Sequence, residues 1–200
     1  MPRPSNTEAR RREIVEGLMA AMAQSGYSGA SIQAIARAAG LTPGLVHYHF
    51  ESKQEVLLAL VEELSRRVRA RYEARLAGSA EPWDRLRAFL DAHLALGQDA
   101  DPRAVACWVA IGAEAVRLPE VRQVYEAAIA QQLETLQSLV REILVAEGRP
   151  TREARSLAAG LLAAIQGSYQ LAVAAGATPR GFAAPTLLRM ARGLLLGGDR

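Results

Sequence analysis

The side chains with chemistry to offer are concentrated in one short stretch holding Thr42, His47, Tyr48, His49 and Lys53, with Arg10, Arg11 and Arg12 upstream of it. Hydroxyl, imidazole, phenol, ammonium and guanidinium groups are hydrogen-bond donors, and together they suit phosphate oxygens and base edges. Metal binding fits poorly: two residues apart on a helix, His47 and His49 diverge by about 200° and cannot close on one ion. Catalysis fits no better, since no nucleophile stands at a recognisable spacing from a base, no glycine loop cradles a phosphate, and Cys107 is the single cysteine. No enzyme activity, cofactor or metal is therefore expected. Of the 24 basic residues, Lys53 is the one lysine.

Three short helices must position these groups. Ser31 can cap a helix that carries Ile32, Ile35 and Ala36 inward, and Gly40 ends it at a position suited to a left-handed residue. Thr42 and Pro43 restart the chain, because a hydroxyl caps and proline is tolerated at the first helical position. Ser52 opens a third helix, with Glu55 completing an S-x-x-E capping box. Two helices joined by a turn of about three or four residues containing glycine form a helix-turn-helix, a DNA-reading element. On the reading helix, from Pro43 to near Phe50, Val46 and Phe50 share the inward face with His49 at its edge. Gly44, Leu45, His47 and Tyr48 point elsewhere. Outward Leu45 and Tyr48 are poor for solubility but suit base edges, where thymine methyl groups are apolar.

Upstream, Ile14, Val15, Leu18, Met19 and Met22 recur at helical spacing, and Gly26 supplies a stop. Arg10, Arg11 and Arg12 occupy the opening turns of that helix, where the dipole prefers acids, so phosphate contact explains them better than local stability. Residues 1–6 are expected to form a mobile arm. The 200-residue chain carries a net charge of only +3 and is half hydrophobic, with no strand-like run, so an all-α fold of about nine helices is expected. The N-terminus has no apolar leader segment, and no run of about eighteen uninterrupted apolar residues occurs. A cytoplasmic protein without a membrane partner follows. The helix from Ser52 to Leu76 is roughly 37 Å long, enough to join a DNA-binding head to a body. Residues 1–51 are read as the arm and three-helix head, and 52–200 as a helical ligand-binding and dimerisation domain.

The segment AIARAAGLTPGLVHYHFESKQEVLLALV resembles the DNA-binding domain of the TetR family of bacterial transcriptional regulators. The resemblance implies that Thr42 is a phosphate-contacting cap, Gly44 a point of close approach, and Tyr48 a base- or phosphate-facing aromatic. It implies a phosphate contact for Lys53 at the start of the fourth helix. His47 stands where the family usually has tyrosine and Leu45 where threonine is common, so the operator sequence does not carry over. The stretches CWVAIGAEAVRLPEVRQVYEAAIAQQLETLQSLVREIL and AAIQGSYQLAVAAG resemble the choline-responsive branch of the family, although Gln166 replaces an acid and Gly112 and Tyr169 replace tryptophans.

Two tasks compete for the apolar surface of the second half. The segment from Thr151 to Ala175 is hydrophobic nearly all round, and Ala159, Gly160, Ala163 and Gly167 permit close helix approach. With Leu187 and Leu194 of the last helix it would form an intersubunit four-helix bundle, as the resemblance also implies. Homodimerisation would pair two readers about 34–36 Å apart for a palindromic site in double-stranded DNA. The other task is a pocket for a small-molecule effector, for which Trp83, Phe89, His93, Trp108, Ile111, Tyr125, Gln166 and Tyr169 supply aromatic walls and a few polar groups. A ligand-responsive DNA-binding regulator, by resemblance a repressor, is the expected function. The alternative is a helical homodimeric adaptor that binds protein and no DNA.

Overall fold

In the computed structural model, which describes residues 6–76, 78, 81–94, 101–175, 178–179 and 181–197, all regular structure among those residues is helical. Of the expected arm at 1–6, residues 1–5 lie outside the described residues and Asn6 begins the first helix. The order is α1 (Asn6–Gly29), α2 (Ile32–Ala39), α3 (Pro43–His49), α4 (Lys53–Leu76), α5 (Pro82–Leu94), α6 (Pro102–Ala115), α7 (Pro119–Ala146), a 3-10 turn (Thr151–Glu153), α8 (Ala154–Ala174) and α9 (Ala183–Leu196). Two compact units form, one from residues 1–65 and 102–127, the other from 66–101 and 128–200.

In the first unit the capping residues do what their types dictate. Ser31 Oγ accepts from the Ala34 N–H at 3.2 Å, and Thr42 Oγ1 accepts from the Leu45 N–H at 3.3 Å. Gly40 ends α2 at φ 67°, a conformation that side chains disfavour, while its N–H and that of Leu41 satisfy carbonyls of the last turn. The turn is therefore only Gly40, Leu41 and Thr42. Ser52 caps the Glu55 N–H at 3.1 Å, but the Glu55 carboxylate reaches back one residue further than in a capping box, to the Glu51 N–H at 2.7 Å. Gly26, at φ 67°, kinks α1, and one more helical turn follows it. Ile14, Leu18, Ile35, Val46, Phe50, Val56, Leu57 and Leu60 close the core beneath these caps, and α6 lies against α1.

In the second unit α5, α8 and α9 pack on one another. Leu86, Leu90, Leu136, Leu139, Ile143, Ile165 and Leu195 are among its completely buried side chains. Thr151 opens the 3-10 turn rather than capping a helix with its side chain, and α8 proper begins three residues later at Ala154. Leu187, expected on a partner-facing surface, is instead core at 4% exposure. The buried line on α9 runs Leu187, Ala191, Leu195, along an i+4 ridge, as when two helices cross at an angle. Met190 and Leu194 lie off that ridge and stay exposed, at 52% and 55%.

Candidate nucleic-acid interface

The reading helix α3 is short, capped and amphipathic in an unusual sense. Val46 is fully buried, and Phe50, just past the last turn, is nearly so, while Thr42, Gly44 and His47 face solvent and Tyr48 is 80% exposed. Leu45 and His49 are half-buried, so Leu45 is less outward than helical spacing suggested. Among the described residues, and apart from its chain neighbours and its own helix backbone, nothing lies within 4 Å of where a Gly44 Cβ would stand. The Tyr48 and His49 rings meet nearly perpendicular, with centroids 5.0 Å apart. A phenol held out in water on a helix beside a bare backbone is a surface made for something else to fill.

The flanking cations divide by role. Arg12 is exposed and donates to the Glu8 carbonyl at 3.4 Å, and Arg10 pairs with Glu13 at 2.6 Å with both side chains about 40% exposed. Both can turn to a phosphate at small cost. Arg11, equally exposed at 39%, instead reaches across to the His49 carbonyl and the Glu55 carboxylate. Arg37 on α2 is also exposed, a basic group that nothing in its local sequence singles out. Lys53 donates to the Tyr27 carbonyl at 2.9 Å, and its Nζ lies 4.1 Å from the centre of the Tyr27 ring. Burial lowers its pKa from the ordinary lysine value, with Glu120 and Glu114 acting in the opposite direction. Burial, with Glu120, pushes the Tyr27 phenol up to about 12. Two N–H donors of the Lys53 ammonium remain for a phosphate. Lys53→Ala is expected to lower stability by about 1 kcal/mol through the lost charge-assisted bond, whereas Tyr48→Ala changes it by less than about 0.5 kcal/mol. Urea denaturation of both variants checks this contrast.

The expected effector residues fall into separate groups. In the first unit, Trp108 and Tyr125 stack with centroids 5.2 Å apart, the Tyr125 hydroxyl lies 3.2 Å from where a Gly112 Cβ would stand, and Ile111 is fully buried. The Glu114 carboxylate faces Gly26, with one oxygen 3.0 Å from where its Cβ would stand. In the second unit, Phe89 lies 4.4 Å from His93, and the Tyr169 hydroxyl lies 3.0 Å from both His93 Nδ1 and the His93 carbonyl. A phenol has one proton, and it goes to the carbonyl. Nδ1 must therefore carry the ring proton, which leaves Nε2 as an acceptor. Gln166 donates to Gln132 at 3.4 Å, a partner that spacing alone did not reveal. Trp83, at the far end of α5, donates to Glu147 and stands apart from His93 by roughly 15 Å of helix.

Burial, helped by Arg71, holds the His93 pKa down from 6.5 to about 3. Between those values the unfolded chain binds a proton that the folded chain does not, so stability falls as pH drops through that window. The contribution is up to about 1.4 kcal/mol per pH unit. His93→Gln is expected to flatten the dependence of unfolding free energy on pH between pH about 6.5 and 5, above the range of most carboxylates. Equal slopes for the variant and the parent protein would contradict it.

On α8, Ala159, Gly160, Ala163 and Gly167 are exposed, and among the described residues nothing beyond the chain neighbours and the helix's own backbone lies within 4 Å of where a Cβ on Gly160 or Gly167 would stand. Leu171 and Val173 continue this apolar surface, and Met190 and Leu194 provide another on α9. By length and composition the helical segment Thr151–Ala174 could cross a membrane, but Ala158, Leu161, Leu162 and Ile165 on its other side are buried in the second unit. Among the described residues, no group of three or more His, Cys, Asp or Glu side chains is placed to hold a metal ion.

A capped helix-turn-helix with an outward aromatic, followed by a larger helical body, defines a helix-turn-helix transcriptional regulator rather than an enzyme. Residues 14–60 match the family described as bacterial regulatory proteins, tetR family, and residues 82–196 match the BetI-type transcriptional repressor C-terminal domain. The chain belongs to the TetR family, with a C-terminal domain of the BetI repressor type. It is 29% identical over 169 residues to the HTH-type transcriptional regulator BetI of Rhizobium meliloti, covering 84% of this chain and 80% of that protein. The BetI regulator of Escherichia coli O17:K52:H18 is 27% identical over 180 residues, 88% of each chain. Among solved structures, a TetR-family regulator from Rhodococcus sp. superposes with TM-score 0.81 at 22% identity, covering 94% of this chain and 99% of that one. A transcriptional regulator from Saccharomonospora viridis, in complex with choline, superposes with TM-score 0.69 at 24% identity over 98% and 100% of the two chains.

Proposed function

We propose that this regulator binds a palindromic operator as a homodimer and leaves it when a small molecule occupies the helical body. The single observation that carries the DNA reading is α3 itself, where Tyr48 is held out in solvent beside the bare backbone of Gly44 on a helix capped by Thr42. Gly44, Leu45, His47 and Tyr48 meet base edges or the sugar-phosphate wall, and Thr42, Lys53, Arg10 and Arg12 contact phosphates. In this division of labour residues 1–51 read DNA and 52–200 sense and dimerise. Two readers are needed because a helix of seven residues spans too few base pairs to discriminate alone. The exposed small residues of α8, with Met190 and Leu194 of α9, supply the dimer contact, and a cytoplasmic location follows from the role.

The effector is a small molecule with an apolar body and a hydrogen-bond donor, taken by Phe89, His93 Nε2, Tyr169 and Gln166. Trp108, Ile111 and Tyr125 form a separate apolar group within the first unit. Choline, which the Saccharomonospora viridis protein holds, has such a donor in its hydroxyl, but Gln166 offers its ammonium no negative charge. Release follows if the effector binds the DNA-incompetent arrangement more tightly, and the shift is limited by that difference in affinity. Selection from a pool of random duplexes tests the reading. Enrichment of an inverted repeat with half-sites about one helical turn apart is expected, and a pool that stays random after repeated rounds contradicts it.

A further inference from the structure

We propose that Arg11 is a positioning residue that sets the angle at which the reading helix meets DNA, rather than one of the phosphate contacts around it. The inference rests on the DNA-binding reading above. A helix of seven residues cannot hold itself in water, and the last carbonyls of any helix lack partners within it. The start of α3 is fixed by Thr42 and Pro43. Its end is held by the Phe50 N–H, which satisfies the Val46 carbonyl, and by one guanidinium from another helix. Arg11 donates to the carbonyl of His49, the last residue of α3, and lies 3.9 Å from the centre of the Phe50 ring. It also pairs with Glu55 Oε1 at 3.2 Å. The other oxygen of Glu55 accepts from the Glu51 N–H at 2.7 Å, in the link between α3 and α4.

One side chain therefore ties α1, the end of α3 and the start of α4 together. The planar fork of arginine can stack, donate to a carbonyl and pair with a carboxylate at once, and a lysine ammonium cannot. Among the described residues, the neighbouring Arg10 and Arg12 pair on their own helix, with Glu13 and the Glu8 carbonyl. The Arg11 side chain is 39% exposed, much as that of Arg10 is at 40%, but its guanidinium is engaged by the His49 carbonyl, the Phe50 ring and the Glu55 carboxylate, and a phosphate would have to displace them. If the clamp is lost, the end of α3 frays and Tyr48 loses a fixed direction, while the positive charges that attract any DNA stay in place.

The test uses full-length protein with Arg11→Met, Arg11→Lys and Glu55→Ala, and has two arms. Hydrogen exchange without DNA reads the clamp directly. Faster exchange confined to the amides of residues 46–51 is expected in Arg11→Met and Glu55→Ala, with α1 and α2 still protected, and unchanged exchange overturns the proposal. The second arm compares the selected operator with a scrambled duplex across a salt series. Arg11→Met should lose roughly tenfold in preference for the operator, the size of one charge-assisted hydrogen bond, with the salt slope on scrambled DNA unchanged. Arg11→Lys should restore little of that preference. Glu55→Ala should lower it as well, although removing an acid near DNA would by itself strengthen binding to any duplex. A salt slope lowered in Arg11→Met, together with full rescue by lysine, identifies a phosphate contact and overturns the proposal. If the parent protein prefers no sequence, the DNA-binding reading fails, and the exchange arm alone decides whether Arg11 clamps α3.

Discussion

Gly44→Glu is expected to raise the stability of the protein by about 0.5–1 kcal/mol and to lower operator affinity by about a hundredfold or more. The two effects have opposite signs because fold and function place opposite demands on this position. Gly44 is the second residue of α3, exposed, and a side chain there would meet no atom of the protein. Glutamate is a far better helix former than glycine, and an acid in the first turn is favoured by the helix dipole. Against DNA the same carboxylate stands where the backbone must approach the phosphates, and like-charge contact at an interface costs several kcal/mol. Urea denaturation and anisotropy titration of the one variant read both effects. A variant that is stabilised yet still binds the operator would remove Gly44 from the interface.

Gly167→Arg is expected to yield a monomer whose operator affinity is lower by on the order of 100-fold or more, because the second half-site no longer binds as an intramolecular event. The substitution is mild within one chain, since Gly167 is exposed and open around the position of its absent Cβ. Between two copies packed closely through small residues, an arginine has no room and no counter-charge. Sedimentation velocity gives the oligomeric state. The parent protein should show a melting temperature that rises with concentration, as for any fold stabilised by association, and the variant should not. A variant that remains dimeric would move the interface away from this face of α8.

The head was largely legible from residue types because each of its helices announces itself locally. Ser31, Gly40, Thr42 with Pro43, and Ser52 each act on amides or carbonyls within a few residues, so their types dictate their geometry wherever the chain goes. Arg11 was not legible in the same way. Its misfit with the helix dipole was visible, but its partner, the His49 carbonyl, is 38 residues away in sequence, and a guanidinium that bonds across helices looks like one that does not until that distance closes. Leu187 and Leu194, both expected in the intersubunit bundle, lie on one side of an ideal helix, since seven residues bring the chain back to within about 20° of the same direction. They part company because the contact line follows the i+4 ridge through Ala191 to Leu195. The aromatic residues of the body were recognised by type, yet no periodicity could say that Trp83 goes to Glu147 while Tyr169 goes to His93.

The most direct measurement is a titration of full-length protein against the selected operator and a scrambled duplex of equal length across a salt series. Sequence-specific reading by α3 predicts that the logarithm of affinity falls linearly with the logarithm of salt for both duplexes. It also predicts a preference for the operator of about a thousandfold or more. Equal affinity for the two duplexes, or affinity indifferent to salt, would contradict it.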